Sequence, residues 1–213
     1  MDEIDLARIR HSYEFTELRE ETVASNPIDQ LRRWLGDAHA AGVREPNAMC
    51  LCTALGGQPS ARIVLLRGLD EGGLVFFTSY FSRKGRELAQ NPRAAAVLYW
   101  ALLERQVRVE GDVDRLSDED SDAYFASRPR GHQIGAWASE QSDVVESRDI
   151  LEQRVRDYSE RFQDEEIPRP HSWGGFLIKP VRLEFWQGRP NRMHDRIEFM
   201  RRAGEWTMQR LQP

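Results

Sequence analysis

The sequence is poor in cysteine and lacks long apolar runs. Its two cysteines among 213 residues, Cys50 and Cys52, lie two apart in an apolar stretch, which places both on one face of a strand and disfavours a disulfide between them. We expect both to be reduced core residues. No apolar stretch approaches the roughly 20 residues that span a bilayer, and the first residues are acidic where a signal peptide is basic. The expectation is a cytoplasmic protein with no membrane partner.

The chain also lacks an excess of basic residues. Its 30 basic and 35 acidic residues are spread along the chain and give a formal net charge of −5, so no basic stripe is present to follow a nucleic-acid backbone. The sequence also lacks glycine-rich phosphate loops of the Rossmann or Walker type, the nucleophile elbow, and the His and Glu spacings of catalytic zinc sites. Nucleic acid is therefore not an expected partner, no metal is expected, and any cofactor must be held in another way.

Short apolar strands separated by turns are what the sequence does contain. Strands are predicted over residues 48–55, 60–69, 74–79, 94–100, 105–113, 175–186, 193–201 and 206–211. Helices are predicted from Asn26-Pro27 to Gly42 and over residues 84–90, 117–125 and 144–162, after a polar arm, residues 1–25, that is partly helical and partly mobile. Because the helices are inserted late, the pattern predicts an antiparallel α+β barrel in place of a doubly wound sheet.

Two segments in the first half of the chain carry cations that an anion would stabilise. Arg62 and Arg67 stand at the two ends of an apolar strand, five apart and therefore on opposite faces. The segment Ser82-Arg83-Lys84-Gly85 places two cations at a helix start, where positive charge is unfavourable unless an anion offsets it. A phosphate seat is one interpretation. The alternative is that the arginines snorkel to solvent and that the helix start carries incidental charges.

Two further cationic groups lie in the second half of the chain. One surrounds the helix end at Pro129 and comprises Tyr124, Arg128, Arg130 and His132. Simple stabilisation of a helix C-terminus is the alternative interpretation of these residues. The other is a predicted strand on which Arg192, His194 and Arg196 alternate, so that they share one face with no carboxylate among them. Such a face indicates a negative or electron-rich ligand.

Six segments together match a known family in order: Arg62-Ile63-Val64-Leu65-Leu66, Ser82-Arg83-Lys84-Gly85, Glu104-Arg105-Gln106-Val107, Ser127-Arg128-Pro129-Arg130, Gln133-Ile134-Gly135-Ala136-Trp137, and Glu184-Phe185-Trp186-Gln187-Gly188 through Arg196. On these residues the chain resembles the pyridoxamine 5′-phosphate oxidase family from Arg10 to Pro213. The resemblance implies an α+β fold, an antiparallel split β-barrel of the FMN-binding type with peripheral helices, formed by residues 26–213 as one domain. It also implies a homodimer with FMN sites at the subunit interface, each built from both chains, and residues 1–25 as an arm that closes over the site.

The resemblance implies a role for each candidate residue. The residues that would hold FMN are Arg62, Ile63, Val64, Leu65, Leu66, Phe77, Thr78, Arg83, Lys84, Gln106, Gln141, Ser142, Trp186 and Arg196. The residues that would hold the substrate are Arg67, Tyr124, Arg128 and His132 around its phosphate, Arg192, Met193 and His194 over its pyridine ring, and Arg10 and Tyr13 in the lid. Arg192 and His194 would be the catalytic residues, first as positioners, with proton handling by His194 second.

The implied reaction is oxidation of a phosphorylated B6 vitamer. Hydride passes from C4′ of pyridoxamine or pyridoxine 5′-phosphate to the flavin, O₂ reoxidises the flavin to give H₂O₂, and pyridoxal 5′-phosphate is the product. Four positions depart from the usual family pattern: Arg67 replaces a lysine, His132 replaces a serine, and His11-Ser12 replace an arginine and a glutamate. Two alternatives stay open, namely a phenazine-biosynthesis-type FMN oxidase of the same fold with an unphosphorylated tricyclic substrate, and a non-enzymatic carrier of flavin or pyridoxal phosphate.

Overall fold

The computed structural model of the chain describes residues 12–13 and 16–213. Its helices are α1 (Pro27–Ala40), α2 (Arg83–Gln90), α3 (Asp118–Ser127), α4 (Arg130–Ala138) and α5 (Arg148–Arg161). Its strands are β1 (Ala48–Leu55), β2 (Gln58–Leu65), β3 (Gly68–Asp70), β4 (Gly73–Ser79), β5 (Arg93–Trp100), β6 (Arg105–Arg115), β7 (Trp173–Gln187), β8 (Asp195–Arg202) and β9 (Glu205–Arg210). No helix in this part of the chain has both the length and the apolar character needed to cross a membrane.

The strands belong to one sheet. They hydrogen-bond in the order β2-β1-β5-β6-β7-β4-β3, and β8 pairs with both β7 and β9. The ladders β1–β2, β3–β4, β4–β7, β7–β8 and β8–β9 are antiparallel. The predicted α+β class with an antiparallel sheet is therefore confirmed.

The chain divides into two compact units. The cavity unit comprises Ala48–Ala96 and Glu110–Pro180, and the terminal unit comprises the described residues up to Asn47 together with Val97–Val109 and Val181–Pro213. The buried aromatic and aliphatic cluster of the cavity unit consists of Phe125, Ile134, Phe162, Ile167 and Trp173. Elsewhere in this unit, a Cβ on Gly85 would lie 2.2 Å from the carbonyl oxygen of Tyr80. Only glycine lets the first turn of α2 approach the backbone after β4 so closely.

In the terminal unit, α1 buries an apolar face. Its N-terminus is capped by Asn26, whose side chain accepts a hydrogen bond from the backbone N–H of Ile28 at 2.9 Å. Trp34 meets Trp100 and Phe185 edge to face, with ring centroids 6.4 and 5.2 Å away. These aromatic contacts fix α1 against β5 and β7 within this unit.

Two differences from the predicted elements change the surroundings of candidate residues in the cavity unit. The strand predicted over residues 60–69 ends at Leu65, and the separate β3 follows, so Arg67 lies between strands. The prediction that Arg62 and Arg67 mark two ends of one strand is therefore wrong. The pattern also fails to predict α4, because two of its nine residues, Gly131 and Gly135, are poor helix formers.

A third difference concerns the last candidate strand. It was expected over residues 193–201, but β8 begins at Asp195 because residues 190–192 form a 3-10 turn. Asn191 and Arg192 have φ angles of 56° and 61° there, in the left-handed region that non-glycine residues seldom adopt. The prediction that Arg192, His194 and Arg196 alternate along one strand face is therefore wrong.

Both cysteines are free, as predicted. The buried side chains of β1 are Met49, Leu51 and Thr53, which alternate with the two cysteines. Cys50 and Cys52 therefore occupy the opposite, half-buried face of the strand, and their assignment to the core is wrong.

Candidate functional site

A cavity of about 950 Å³ opens within the cavity unit. It is lined by candidate residues from separate segments of the sequence, namely Arg62, Ile63, Val64, Leu65, Arg67, Phe77, Thr78, Arg83, Lys84, Tyr124, Arg128, His132, Gln141 and Ser142. The sequence assigned no site role to five other lining residues, which are Ser60, Ala61, Ser127, Pro129 and Trp173. Leu66, also a candidate, is buried and does not belong to this lining. The cavity therefore gathers most of the expected phosphate-binding side chains into one place.

One end of the cavity contains a buried ammonium group. The Nζ atom of Lys84 lies 3.1 Å from Thr78 Oγ1, 3.2 Å from Ser82 Oγ and 3.2 Å from Gln141 Oε1. Burial, and after it the charge of Arg62, lowers the pKa of Lys84 from 10.5 to about 8. No carboxylate of the described residues hydrogen-bonds to this Nζ atom. An anion in the cavity would supply the missing counter-charge.

Arg62 lies beside Lys84 and is held by protein groups. Its Nη1 donates to the carbonyl oxygen of Leu51 at 3.3 Å and to Thr53 Oγ1 at 2.6 Å. Its Nη2 donates to Ser60 Oγ and to Glu87 Oε2, the latter at 3.2 Å. The terminal nitrogens of Arg62 are therefore already engaged, so its main effect on a bound anion is electrostatic.

Arg83 is engaged differently, although it lines the same end. Its Nε donates to Glu87 Oε1 at 2.9 Å, and its side chain is 60% exposed. Within the described part of the chain, neither of its terminal nitrogens makes a hydrogen bond. Both terminal nitrogens of Arg83 are therefore left to donate hydrogen bonds to a ligand. Two other residues of the lining, Gln141 and Ser142, follow α4, and Ser142 has a φ of 77°.

The other end of the cavity is formed by Arg128. Helix α3 ends at Ser127, and Arg128 is extended (φ −74°, ψ 148°) because a residue before proline disfavours helical backbone. Its guanidinium lies 4.6 Å from the ring centroid of Trp173. Among the described residues, Arg128 Nη1 is the one buried side-chain nitrogen or oxygen atom without a hydrogen-bond partner. Burial lowers the pKa of Arg128, the proximity of Tyr124 raises it, and the charge of Arg67 lowers it further.

Three aromatic side chains of the lining, Phe77, Tyr124 and Trp173, stack on one another. Tyr124 stacks on Phe77 with ring centroids 3.8 Å apart and an interplanar angle of 11°. Trp173 continues the stack, with its ring centroid 5.4 Å from that of Phe77. Stacked side chains of this kind offer a flat surface to an aromatic ligand.

The remaining cations near Arg128 have different surroundings. Arg67 and His132 are exposed and line the cavity. Arg130 is outside the lining, because its guanidinium donates to the carbonyl oxygens of Phe162, Gln163 and Glu165 after α5. Arg130 therefore stabilises the end of α5, whereas the structural alternative for this group concerned the helix that ends before Pro129.

The terminal unit contains a second group of candidates. Trp186 lies 4.6 Å from His194 between ring centroids, and Tyr13 packs edge-on to both rings at 5.6 and 5.5 Å. The Nδ1 atom of His194 accepts a hydrogen bond from the backbone N–H of Arg189 at 3.1 Å. Burial, and after it the charge of Arg192, lowers the pKa of His194. Both effects favour the neutral imidazole, and the hydrogen bond accepted by Nδ1 places the proton of that form on Nε2.

Arg196 has a carboxylate partner that the sequence pattern concealed. Its Nε donates to Glu184 Oε1 at 2.8 Å, and Arg108 donates to the other oxygen at 3.1 Å. The prediction of a cationic face without a carboxylate is therefore wrong, because Glu184 reaches Arg196 from the neighbouring strand β7. Of the other candidates, Gln106 is half-buried, and Arg192 and Met193 are exposed.

The described part of the N-terminal arm is attached to the terminal unit. Leu18 donates its backbone N–H to Asp195 at 3.1 Å, and its carbonyl oxygen accepts from Arg210 at 2.9 Å. Thr16 hydrogen-bonds to Gln187 at 2.9 Å. These bonds hold the arm in the same region where its Tyr13 packs against Trp186 and His194. Arg10 lies outside the described residues.

The sequence matches two family models. A model described as pyridoxamine 5′-phosphate oxidase matches residues 35–162, and one described as the pyridoxine 5′-phosphate oxidase C-terminal dimerisation region matches residues 173–213. A pyridoxine/pyridoxamine 5′-phosphate oxidase of Cupriavidus necator is 55% identical over 98% of this chain and 99% of its own length. One from Rubrobacter xylanophilus is 53% identical over 98% and 97%.

Two solved structures show the same fold. PhzG of Burkholderia lata 383, in complex with tetrahydrophenazine-1-carboxylic acid, is similar with a TM-score of 0.89 and 31% identity over 95% of this chain and 100% of its own. A pyridoxamine 5′-phosphate oxidase-related, FMN binding protein of Nostoc punctiforme is similar with a TM-score of 0.69 and 19% identity over 85% and 97%. The predicted split-barrel fold is confirmed by these likenesses.

Proposed function

The chain belongs to the pyridoxamine 5′-phosphate oxidase family, and on that premise we propose that it is an FMN-dependent oxidase that converts pyridoxamine and pyridoxine 5′-phosphates to pyridoxal 5′-phosphate. O₂ is the electron acceptor and H₂O₂ the second product. The observation that carries this proposal is the pair of cationic ends, at Lys84 and Arg128, in one cavity. Two such ends suit two phosphate groups, one on the cofactor and one on the substrate.

The Lys84 end fits the phosphate of FMN. The residues assigned to it are Arg62, Arg83, Lys84, Gln141 and Ser142, and a dianion there would compensate the buried ammonium through charge-assisted hydrogen bonds. FMN, when bound, supplies the redox chemistry by taking two electrons from the C4′ centre and delivering them to O₂.

The Arg128 end fits the phosphate of the substrate. The unpartnered Nη1 atom of Arg128 is buried, and a buried donor without an acceptor is unfavourable until a ligand provides one. Tyr124 lies beside it and contributes a hydroxyl group. Arg67 and His132 add a positive charge and a hydrogen-bond donor at the exposed side, so the replacements at these two positions keep the end suitable for phosphate.

The ring systems are assigned to residues of the terminal unit. Gln106, Trp186 and Arg196 would contact the flavin ring, and the residues over the pyridine ring are Arg192, Met193 and His194. Because its Nδ1 accepts a backbone hydrogen bond, His194 offers only an Nε2–H donor and acts as a positioning group. The match of residues 173–213 to a dimerisation region supports a homodimer in which both chains contribute to each site.

The lid role is assigned to the N-terminal arm. Tyr13 packs edge-on against the rings of Trp186 and His194, and the family resemblance assigns Arg10 to the same lid. Gly188 leaves room for this arrangement, because a Cβ there would lie 2.8 Å from the ring of Tyr13. Closure would exclude water from the reacting C4′ carbon.

The test of the proposed function begins with the purified protein. We expect a yellow protein that releases FMN on denaturation, identified by mass, and that produces one H₂O₂ for each pyridoxal 5′-phosphate formed under air. Yellow protein without peroxide from either phosphorylated vitamer would identify a flavin carrier. Release of FAD or riboflavin would show that the cofactor assignment is wrong.

A phenazine-type oxidase is the second candidate, favoured by the likeness to the Burkholderia lata protein. Its test is a competition between tetrahydrophenazine-1-carboxylic acid and pyridoxine 5′-phosphate. We expect the vitamer to be oxidised preferentially, because a phosphate uses the Arg128 end more fully than a carboxylate does. Faster oxidation of the tricyclic acid would replace the proposed substrate.

Substitution of Arg67 by lysine tests the placement of this residue on the substrate. The positive charge is kept but the planar fork is lost, so we expect KM for the phosphorylated vitamer to change by roughly 3- to 10-fold with unchanged FMN content. Steady-state kinetics and flavin absorbance measure the two effects. Loss of bound flavin in Arg67→Lys would show that the residue belongs to the cofactor end.

The lowered pKa of Lys84 predicts a pH dependence of cofactor binding. The folded pKa of about 8 lies below the ordinary 10.5, so the flavin-free protein loses this charge as pH rises through 8. We expect the FMN Kd to rise between pH 8 and 10, by at most about tenfold per pH unit. In the same window the unfolded chain binds more protons, so this group makes the unfolding free energy of flavin-free protein increase with pH.

Fluorescence titration of FMN at pH 7, 8, 9 and 10 measures this dependence, with Lys84→Met as the control. The variant should show a flatter profile. Identical profiles for the two proteins would mean that another group causes the pH effect.

A further inference from the structure

Glu87 is a buried carboxylate that the proposed function leaves without a role. It lies on α2, four residues after Arg83, and only 5% of the residue is exposed. Ser60 Oγ donates to both of its oxygens, at 3.0 and 2.8 Å, and Thr53 Oγ1 donates to Oε2 at 2.5 Å. Hydroxyl donors from two neighbouring strands therefore fix the carboxylate in one orientation.

The same carboxylate holds two arginines of the cavity lining. Arg62 Nη2 lies 3.2 Å from Oε2, and Arg83 Nε lies 2.9 Å from Oε1. Both arginines line the cavity and Glu87 does not, so it contacts their guanidinium groups without facing a ligand in the cavity. Burial raises the pKa of Glu87, but the hydrogen bonds from Thr53, Ser60 and Arg83 and the charge of Arg62 outweigh it and lower this pKa to about 2.

We infer that Glu87 is a positioning residue for the cofactor phosphate, acting through Arg62 and Arg83. This inference rests on the proposed assignment of FMN to the Lys84 end. Arg83 is mostly exposed and would otherwise sample many rotamers. Its hydrogen bond to Glu87 uses Nε and leaves both terminal nitrogens for the phosphate. A side chain fixed before binding loses less conformational entropy when the ligand arrives.

Simple electrostatics predicts the opposite effect. A carboxylate close to a bound phosphate repels it, so removal of the charge would tighten FMN binding if Glu87 acted only through its charge. The positioning role predicts weaker binding, because the amide of a glutamine turns a donor group toward one of the two arginine donors and releases that arginine. The sign of the change in affinity therefore distinguishes the two effects.

The experiment compares FMN with riboflavin, which lacks the phosphate, on flavin-free Glu87→Gln and wild-type protein. We expect the FMN Kd to rise by roughly 10- to 100-fold, while the riboflavin Kd stays within about threefold, since hydrogen bonds to the phosphate are absent in that complex. Fluorescence quenching measures both constants. Glu119→Gln, which removes an exposed carboxylate of the same unit, is the matched control and should change neither.

Glu87→Asp serves as the second variant because a buried substitution can prevent folding. It keeps the charge but shortens the reach, so its ratio of riboflavin Kd to FMN Kd should fall between those of wild type and Glu87→Gln. If Glu87→Gln does not fold, a ratio below wild type in Glu87→Asp supports the inference. An unchanged or larger ratio in either folded variant overturns it. Wild-type protein that prefers riboflavin would instead refute the cofactor assignment itself.

Discussion

Substitution of Arg128 by methionine is expected to lower kcat/KM for pyridoxamine 5′-phosphate by roughly 100-fold or more. Loss of a desolvated, charge-assisted contact costs about 2–5 kcal/mol. The Nη1 atom of Arg128 is buried and has no hydrogen-bond partner among the described residues, so it is available to the substrate phosphate. The FMN content should not change, because Lys84 is held by Thr78, Ser82 and Gln141, whereas Arg128 lies over the rings of Phe125 and Trp173. Steady-state kinetics with flavin-loaded protein measures the effect.

The same substitution should make the protein more stable to heat. Methionine removes a buried donor whose missing acceptor costs about 1–3 kcal/mol and keeps an apolar contact with Trp173. Arg130→Met is the matched control, because Arg130 donates to the carbonyl oxygens after α5. We expect this control to lose stability and keep its kcat/KM. The two neighbouring arginines should therefore give opposite patterns.

Two kinetic results for Arg128→Met would rule out the proposed role of Arg128 on the substrate phosphate. Unchanged kcat/KM for the phosphorylated substrate would show that the phosphate binds elsewhere. Equal losses for phosphorylated and unphosphorylated vitamers would show that Arg128 acts on the fold or on the flavin, and not on the phosphate.

Substitution of Lys84 by methionine is expected to raise the FMN Kd by roughly 100-fold, so that the protein purifies without colour. The ammonium group is buried among Thr78, Ser82 and Gln141, where a charge-assisted bond to phosphate is little screened by water. Methionine fills the same space without a charge. Flavin absorbance after purification and titration with added FMN measure the loss.

Lys179→Met is the control for this substitution, because Lys179 is the only other lysine of the chain. Its side chain is about half exposed and pairs with Asp114. We expect this variant to bind FMN like the wild type. Retention of tight FMN binding in Lys84→Met would mean that the arginines alone hold the phosphate.

The sequence predicted most elements because their causes are local. Helix α1 follows from the cap at Asn26 and the apolar spacing that buries Leu31 and Trp34. The antiparallel strands follow from apolar runs separated by turns. The failures have local causes too. Helix α4 contains two glycines, and the turn predicted at residues 187–191 extends through Arg192, whose positive φ angle, like that of Asn191, delays the start of β8.

The site was less accessible to sequence reasoning, because its contacts join distant segments. The family resemblance named Arg62, Arg83 and Lys84 as cofactor-binding residues, but it did not include Glu87. The sequence did contain a signal for this residue, because Glu87 follows Arg83 by four positions, the spacing of an ion pair on a helix. Trp173 was similarly missed as the surface under Arg128. The contacts of Glu87 with Thr53, Ser60 and Arg62 join a helix to two strands, and such contacts depend on how the strands pair, which composition does not reveal.

In the proposed function, the cavity recognises a phosphorylated vitamer through its Arg128 end. The most direct test is the ratio of kcat/KM between pyridoxine 5′-phosphate and pyridoxine, measured as H₂O₂ formation by the wild-type protein under air. A site built to hydrogen-bond a group rejects the analogue that lacks it, so we expect a ratio on the order of 10³ or more. Equal values for the two compounds would contradict it.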